Sequence, residues 1–201
     1  MNPGRLIVFE GLDGSGKSTQ LARLAVRLRE RGERVVETRE PTQGPHGRRI
    51  RQLAAEGRRA PPAQELALFV ADRREHVASV IEPALRDRCW VLCDRYFLST
   101  AAYQGARGLA AEQILAESEA EFPLPALALL FDLAPARCLE RVHARGGVET
   151  AFERLDRLER VAEIFARLER PYLMRIDADA SEAEVERRVA AALSERFGEG
   201  P

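Results

Sequence analysis

The sequence predicts an α/β fold: a three-layer sandwich in which a five-stranded, mainly parallel sheet is flanked by helices. Short apolar runs rich in β-branched residues recur along the chain, and longer stretches with helical apolar spacing lie between them. Strands that alternate with helices are joined by right-handed crossovers, which cover both faces of a parallel sheet. No repeat or interdomain linker interrupts the pattern, so residues 1–201 are predicted to form a single domain. The predicted strands are 5–12, 34–40, 89–96, 127–133 and 172–178.

Four stretches carry the helical pattern between or after these strands. Leu21, Leu24 and Leu28 fall on one stripe of the first, and the last opens with Ser181 and Glu184, the spacing of a capping box. The predicted helices are 19–31, 63–85, 153–170 and 181–197.

Composition narrows the possible functions. The 31 basic and 32 acidic residues give a net charge of −1, which offers no electrostatic reason to expect a nucleic-acid partner. No apolar run approaches the length of a membrane span, so no membrane association is expected. Cys89, Cys93 and Cys138 lack zinc spacing and are predicted to be buried free thiols of a cytoplasmic protein.

Ionisable residues recur near the C-terminal ends of the predicted strands. In open parallel sheets the ligand crevice lies outside those ends, so five charged ends on one rim favour a polar ligand site there. The residues concerned are Glu10, Arg39, Glu40, Asp94, Arg95, Asp132, Arg175 and Asp177.

The segment GLDGSGKS (11–18) fits the phosphate-binding motif G-x-x-x-x-G-K-[ST] and lies directly between a predicted strand and a predicted helix. Its glycines allow backbone N–H groups to turn towards a polyphosphate, and the helix N-terminus adds partial positive charge. Lys17 is the only lysine in the chain, and a compact ammonium can reach between β- and γ-phosphates. The predicted nucleoside triphosphate site comprises Gly11, Leu12, Asp13, Gly14, Ser15, Gly16, Lys17, Ser18 and Thr19.

Ser18 and Asp94 are predicted to orient Mg²⁺, Ser18 through its hydroxyl and Asp94 as the second acidic element at the end of the third strand. A guanine-specifying N-K-x-D sequence would need a second lysine, which weighs against a GTPase switch. A transferase that moves a phosphoryl group between two anions needs cations for both substrates. Arginines at 39, 73, 95, 141 and 145 could supply them.

Four segments in order resemble the signatures of the thymidylate kinase family: FEGLDGSGKSTQ (9–20), TREP (38–41), LFVADRREHV (68–77) and CDRYFLSTAAYQG (93–105). The resemblance runs from about residue 5 to about residue 180. It implies a P-loop nucleotide kinase fold, ATP- and Mg²⁺-dependent phosphorylation of dTMP to dTDP in dTTP synthesis, and a homodimer. LERVHARG (139–146) resembles the start of that family's lid, expected here at about 141–155.

The resemblance also implies roles for residues around the sugar and phosphate of dTMP. Asp13 would accept a hydrogen bond from the 3′-hydroxyl. Arg39 and Arg95 would bind the 5′-phosphate by charge-assisted hydrogen bonds. Tyr103 would crowd the 2′ position and so disfavour ribonucleotides.

Further residues would contact the base. Phe69 and Arg73 lie one helical turn apart, and in the family this phenylalanine stacks on thymine while this arginine hydrogen-bonds the base carbonyl. Thr100 and Gln104 fall where the family reads the base edge, although many relatives have asparagine at the position of Thr100.

The lid departs from the family pattern. Relatives with glycine at the position of Gly14 usually place compensating arginines in the lid, in an Asp-Arg-x-Glu sequence after an R-x-x-x-R helix. Arg141 and Arg145 supply R-x-x-x-R, but residues 150–153 read Thr-Ala-Phe-Glu. Lys17, Arg95, Arg141 and Arg145 are predicted to be catalytic, with Arg145 as the cation that arrives on closure and Arg154 as the alternative.

Two other functions fit the same residues. The chain could be a kinase of the same fold that acts on another nucleotide or a deoxynucleoside. The altered lid is also compatible with a nucleotide-binding regulatory protein that has lost transfer activity. The three histidines, His46, His76 and His143, receive no functional role because none lies in a cluster with metal-ligand spacing.

Overall fold

The structure is a computed structural model that describes residues 4–57, 60–144 and 151–198, without the side chains of 151–154. Its described part contains one five-stranded sheet in the order β2-β3-β1-β4-β5, and all four pairings are parallel. The predicted α/β class is confirmed, and the five strands lie where expected, shorter by one to three residues. They are β1 Arg5–Gly11, β2 Val35–Arg39, β3 Trp90–Asp94, β4 Leu127–Asp132 and β5 Leu173–Asp177.

Helices connect and cover the strands. The predicted helical stretch 63–85 is confirmed, since helical backbone runs without a break from 62 to 86, but a π-helical turn, Val77–Ile81, interrupts its α-helical hydrogen bonds. Pro83 has no N–H group, so a regular α-helical ladder cannot continue through it. Short helices at 45–55, 97–105 and 111–121 were not predicted. The helices are α1 Lys17–Glu30, α2 Pro45–Ala55, α3 Pro62–His76, α4 Glu82–Arg86, α5 Phe97–Gly105, α6 Ala111–Glu121, α7 Pro135–His143, α8 Ala151–Arg167 and α9 Glu182–Phe197.

The core lies on both faces of the sheet. The β1 residues Leu6, Ile7, Val8 and Phe9 are all buried, as expected for a central strand of a parallel sheet covered by helices. Helix α1 packs against β1, β2, β3 and α9, while α5 packs against β1, α3, α6 and α8. Two groups of helices therefore enclose the sheet. None of the described helices is long and apolar enough to cross a membrane.

The parallel register brings the carboxyl ends of three strands together. Asp94 of β3 is level with Phe9 of β1 and with Arg39 of β2, so the loops that follow these strands meet at one edge. Arg175 does not take part in a ligand site there. Its guanidinium donates to the carbonyl oxygens of Phe165, Ala166 and Leu168 and so satisfies the end of α8.

Candidate active site

The phosphate-binding loop runs from the end of β1 to the first turn of α1. Gly14 has a φ of +91°, and a Cβ atom built on it would lie 2.3 Å from the carbonyl oxygen of Cys138 in α7. Backbone, unlike the tip of a side chain, cannot rotate away from such a contact. Glycine is therefore required at this position both by conformation and by the close approach of α7.

Lys17 stands at the start of α1 and is buried, with 5% of its surface exposed. Its Nζ donates a 2.7 Å hydrogen bond to the carbonyl oxygen of Leu12. Burial, and next the positive charge of Arg95, lower the pKa of Lys17 to about 8. Among the described residues no side chain caps the first turn of α1, so its N–H groups can bind an anion. A polyphosphate bound there would stabilise the charged ammonium.

Ser18 and Asp94 lie side by side, as a shared metal ion requires. Ser18 Oγ donates a 2.5 Å hydrogen bond to Asp94 Oδ2, and Asp94 Oδ1 is buried with no hydrogen-bond partner in the described part of the chain. Hydroxyl and carboxylate oxygens are ligands that Mg²⁺ accepts. The described residues contain no group of three or more acidic, histidine or cysteine side chains that could hold a metal ion alone. The pair therefore fits an ion that takes its other ligands from substrate phosphates and water.

A cavity of about 460 Å³ opens in front of these groups. Six of the nine predicted triphosphate-binding residues line it, whereas Gly11, Leu12 and Ser15 are buried behind the loop surface. Arg39 lines the same cavity from the end of β2. The lining residues are Asp13, Gly14, Gly16, Lys17, Ser18, Thr19, Arg39, Glu40, Asp94, Arg95 and Val142.

A second cavity of about 590 Å³ is adjacent to the first and is more apolar. The structure brings Phe69 of α3 and Thr100, Tyr103 and Gln104 of α5 together on its wall, as a nucleoside site requires. Phe69 is partly exposed, so its ring is available to a ligand. Asp13, Glu40 and Arg95 line both cavities and mark the junction between them.

Arg95 is the central residue of this junction. Its backbone has a φ of +72°, a strained conformation for a residue with a Cβ. Its N–H donates to the carbonyl oxygen of Phe9, and its Nη2 donates a 2.7 Å hydrogen bond to Asp13 Oδ1. Its Nη1 donates to Ser99 Oγ at 3.0 Å, and its guanidinium carbon lies 5.0 Å from the centre of the Tyr103 ring. These contacts fix the guanidinium between the two cavities.

Beneath Arg95, the buried carboxylate of Glu10 accepts hydrogen bonds from the N–H of Tyr96 and from Ser99 Oγ. Glu10 therefore joins β1 to the first turn of α5. Burial raises the pKa of Glu10 to about 7, and the hydrogen bond from Ser99, the charge of Arg95 and the Tyr96 N–H oppose that rise.

Arg73 is placed behind the second cavity rather than on its wall. Only 1% of it is exposed; its Nε and Nη2 both donate to Glu40 Oε2, and its Nη2 also donates to Thr100 Oγ1 at 2.7 Å. Its Nη1 is buried with no hydrogen-bond partner among the described residues. His76, for which no functional role was predicted, contacts the same carboxylate through Nδ1 at 3.0 Å. Glu40 is thus the partner that holds Arg73 beneath Thr100.

Several residues of the second cavity had no signal in the sequence. Glu65 of α3 and Arg107, which follows α5, form an ion pair on its wall. They are 42 positions apart, and neither belongs to a motif, so only the packing of α3 against α5 reveals the pair. Arg51 of α2 and Arg157 of α8 also line the cavity.

The predicted lid arginines are only partly described. Arg141 lies in the last turn of α7, next to Val142, which lines the first cavity. None of the ion pairs found among the described residues involves Arg141. Arg145 lies outside the described residues, as does the side chain of Arg154.

The sequence is similar to one family of known proteins along most of its length. Residues 9–189 match the sequence model of the family described as thymidylate kinase. The chain is 47% identical over 194 residues to a thymidylate kinase of Akkermansia muciniphila, covering 96% of this chain and 93% of that protein. It is 47% identical over 189 residues to one of Desulfotalea psychrophila, covering 94% and 93%. It is 46% identical over 201 residues to one of Xanthomonas campestris, covering 98% and 88%.

Proposed function

The chain belongs to the thymidylate kinase family, and we propose that it transfers the γ-phosphoryl group of ATP to dTMP and so forms dTDP for dTTP synthesis. The observation that carries this proposal is the meeting of two cavities at Arg95. One is lined by a phosphate-binding loop, and the other by an aromatic ring and polar groups suited to a nucleoside. A phosphoryl transferase needs such an arrangement, because donor and acceptor phosphates must lie end to end.

ATP occupies the first cavity in this proposal. The N–H groups of residues 11–19 and the ammonium of Lys17 bind the β- and γ-phosphates. Ser18 and Asp94 would hold Mg²⁺, whose chemistry is to neutralise the charge that develops on the phosphate oxygens. The supporting observation is the buried Asp94 oxygen that has no partner in the described part of the chain.

dTMP occupies the second cavity. Phe69 stacks on thymine, Thr100 and Gln104 contact the base edge, and Tyr103 crowds the 2′ position of the sugar. Arg73 is held by Glu40 and donates to Thr100 Oγ1, so it supports the base edge through Thr100.

The acceptor phosphate lies at the junction of the cavities. Asp13 accepts from the 3′-hydroxyl, and Arg39 and Arg95 bind the 5′-phosphate. An oxygen of that phosphate attacks the γ-phosphorus, a new P–O bond forms, and the bond to the β-phosphate oxygen breaks to release ADP. Lys17 and Arg95 stabilise the charge on the transferring group, and Arg141 and Arg145 approach from the lid at about 141–155.

A substrate panel tests the proposal. ADP release is measured with ATP, Mg²⁺ and each of dTMP, dUMP, dCMP, dGMP, UMP, CMP and AMP, with the Lys17→Ala variant as the control for contaminating kinases. We expect the highest kcat/KM with dTMP. Preference for another acceptor would favour the kinase of a different nucleotide, and no turnover of any acceptor would favour the regulatory protein.

A homodimer and a cytoplasmic location complete the proposal. The three cysteines are buried free thiols, which suits a reducing compartment. Light scattering coupled to gel filtration tests the dimer directly: a mass twice that of the 22.4 kDa chain is expected, and a mass of one chain at assay concentration would contradict it.

A further inference from the structure

Gln104 presents its two amide atoms to different surroundings. It lines the second cavity, and its side chain is almost fully buried. Its Nε2 donates a 2.7 Å hydrogen bond to Glu65 Oε2. Its Oε1 is buried and has no hydrogen-bond partner in the described part of the chain. The amide therefore has one satisfied end, the donor, and one unsatisfied end, the acceptor.

Glu65 determines which way the amide of Gln104 is oriented. An ionised carboxylate can only accept hydrogen bonds, so the amide group of Gln104 must turn its NH₂ towards it. Glu65 is itself fixed by Arg107, whose Nη1 donates to the same Oε2 and whose Nη2 donates to the carbonyl oxygen of Ala60 at 2.7 Å. The guanidinium also balances the charge of the carboxylate on this partly buried wall. Arg107 and Glu65 thus hold Gln104 in a single orientation.

A buried acceptor without a donor costs free energy until a ligand supplies an N–H group. Thymine and uracil carry such a donor at N3, whereas N3 of cytosine is itself an acceptor. An amide held with Oε1 free therefore favours a 4-oxo pyrimidine, and the same amide turned over would favour cytosine. The preference between these bases therefore depends on Glu65, which need not touch the base.

We propose that Glu65, supported by Arg107, is a positioning residue that fixes the Gln104 amide and thereby makes the acceptor site reject cytosine nucleotides. The proposal rests on the proposed function, since it assumes that the base lies against Gln104. Glu65 acts through Gln104 and not on the reacting phosphates.

Glu65→Gln tests the proposal with a nearly isosteric change. Because the new amide can donate as well as accept, Gln104 can turn its NH₂ towards the base. The ratio of kcat/KM for dTMP to kcat/KM for dCMP should fall at least about tenfold, through both a loss with dTMP and a gain with dCMP. The ratio of dTMP to dUMP should stay unchanged, because both bases carry the same N3–H. Glu121→Gln is the matched control, since it removes a carboxylate from an exposed arginine pair away from the cavity.

A swap of the two side chains separates orientation from structure. In Glu65→Gln with Gln104→Glu, residue 104 becomes an obligatory acceptor, so the preference for dTMP over dCMP should recover. The double variant should show the wild-type preference for dTMP over dCMP whether or not Glu65→Gln alone folds. An unchanged ratio in folded Glu65→Gln, equal losses with both substrates, or no recovery in the swap would overturn the proposal. Failure of the proposed function would look different, because wild-type protein would then not prefer dTMP.

Discussion

Ser18 in the first turn of α1 and Asp94 at the end of β3 are joined by a 2.5 Å hydrogen bond across 76 positions of the chain. The contact exists because β1 and β3 are neighbours in the sheet, with Phe9 level with Asp94. The hydroxyl and the carboxylate therefore reach the same corner of the first cavity, which both residues line.

Asp94→Asn should weaken the use of Mg²⁺. The variant keeps the shape of the side chain but loses the charge that favours a hard cation, so we expect kcat to fall at least about 10²-fold. The concentration of Mg²⁺ needed for half-maximal activity should also rise, which a titration of rate against Mg²⁺ measures. Asp132→Asn is the control, because Asp132 ends β4, on the other side of β1 from β3, and is exposed and lines neither cavity. Similar Mg²⁺ curves for Asp94→Asn and wild type would contradict the assignment.

Lys17→Ala should lower kcat at least about 10²-fold while the fold persists, because the ammonium neutralises the β- and γ-phosphates. Circular dichroism and steady-state rates measure the two effects.

The single lysine also permits a chemical test. Burial lowers the pKa of Lys17 to about 8, so near that pH about half of the amine is neutral and can be acylated. Lysine-selective acylation should inactivate the protein, and MgATP should protect it. Lys17→Arg, which retains only the terminal amine, corrects for labelling there. Full activity after stoichiometric modification of Lys17 would refute its role.

Phe69→Ala should raise KM for dTMP and leave KM for ATP nearly unchanged. Loss of base stacking should cost roughly 1–3 kcal/mol of dTMP binding. Val70→Ala, at the next position of α3, is the matched control because Val70 packs against the core. That variant should lower the melting temperature without a selective change in KM. Equal effects of Phe69→Ala on both substrates would make Phe69 a packing residue.

Arg145→Ala should lower kcat at least about 10²-fold with little change in KM for dTMP, the pattern of an interaction made mainly in the transition state. The prediction rests on the sequence, in which Arg145 follows Arg141 by four positions, and on the place of Arg141 next to Val142, which lines the first cavity. Arg154→Ala is expected to do less. Near-normal kcat in Arg145→Ala with a large loss in Arg154→Ala would transfer the role to Arg154.

Glu10→Gln should change how stability depends on pH. Burial raises the pKa of Glu10 to about 7 from 4.5, so the folded protein binds this proton more tightly than the unfolded chain. The stability that this tighter proton binding contributes is fully present below about pH 4.5 and is lost as pH rises through about 7. The neutral amide removes a difference on the order of 3 kcal/mol. The free energy of unfolding, measured with urea between pH 4.5 and 7.5, should depend less on pH in the variant than in the wild type. The same pH dependence in both proteins would disprove the effect.

The strands and the phosphate-binding loop could be predicted because their signals are local. β-branched runs define the strands, and the loop motif stands between β1 and α1. Helix α5 gave no such signal, since seven of its nine residues are buried and no polar stripe sets a helical period. Helix α2 was missed because residues 45–55 contain few apolar positions.

Site residues that depend on long-range pairing could not be predicted. The sequence places Arg73 beside Phe69 on α3, but it does not show that Glu40, 33 positions earlier, holds the guanidinium behind Thr100. Gln104 was found through the resemblance, whereas its partner Glu65 emerged only from the packing of α3 against α5. Partners that are close in space but far apart in the chain leave no pattern in a single sequence.

The close approach of Gly14 to Cys138 limits how this enzyme could be redesigned. Grafting an arginine into the loop would seem a simple way to bring a permanent cation to the transferring phosphate. Any side chain at position 14 would instead force α7 away from the loop, and α7 carries Arg141. Installing one cation in the loop would therefore displace Arg141. A new positive charge should instead be introduced in the lid at about 141–155, with the glycine at position 14 kept.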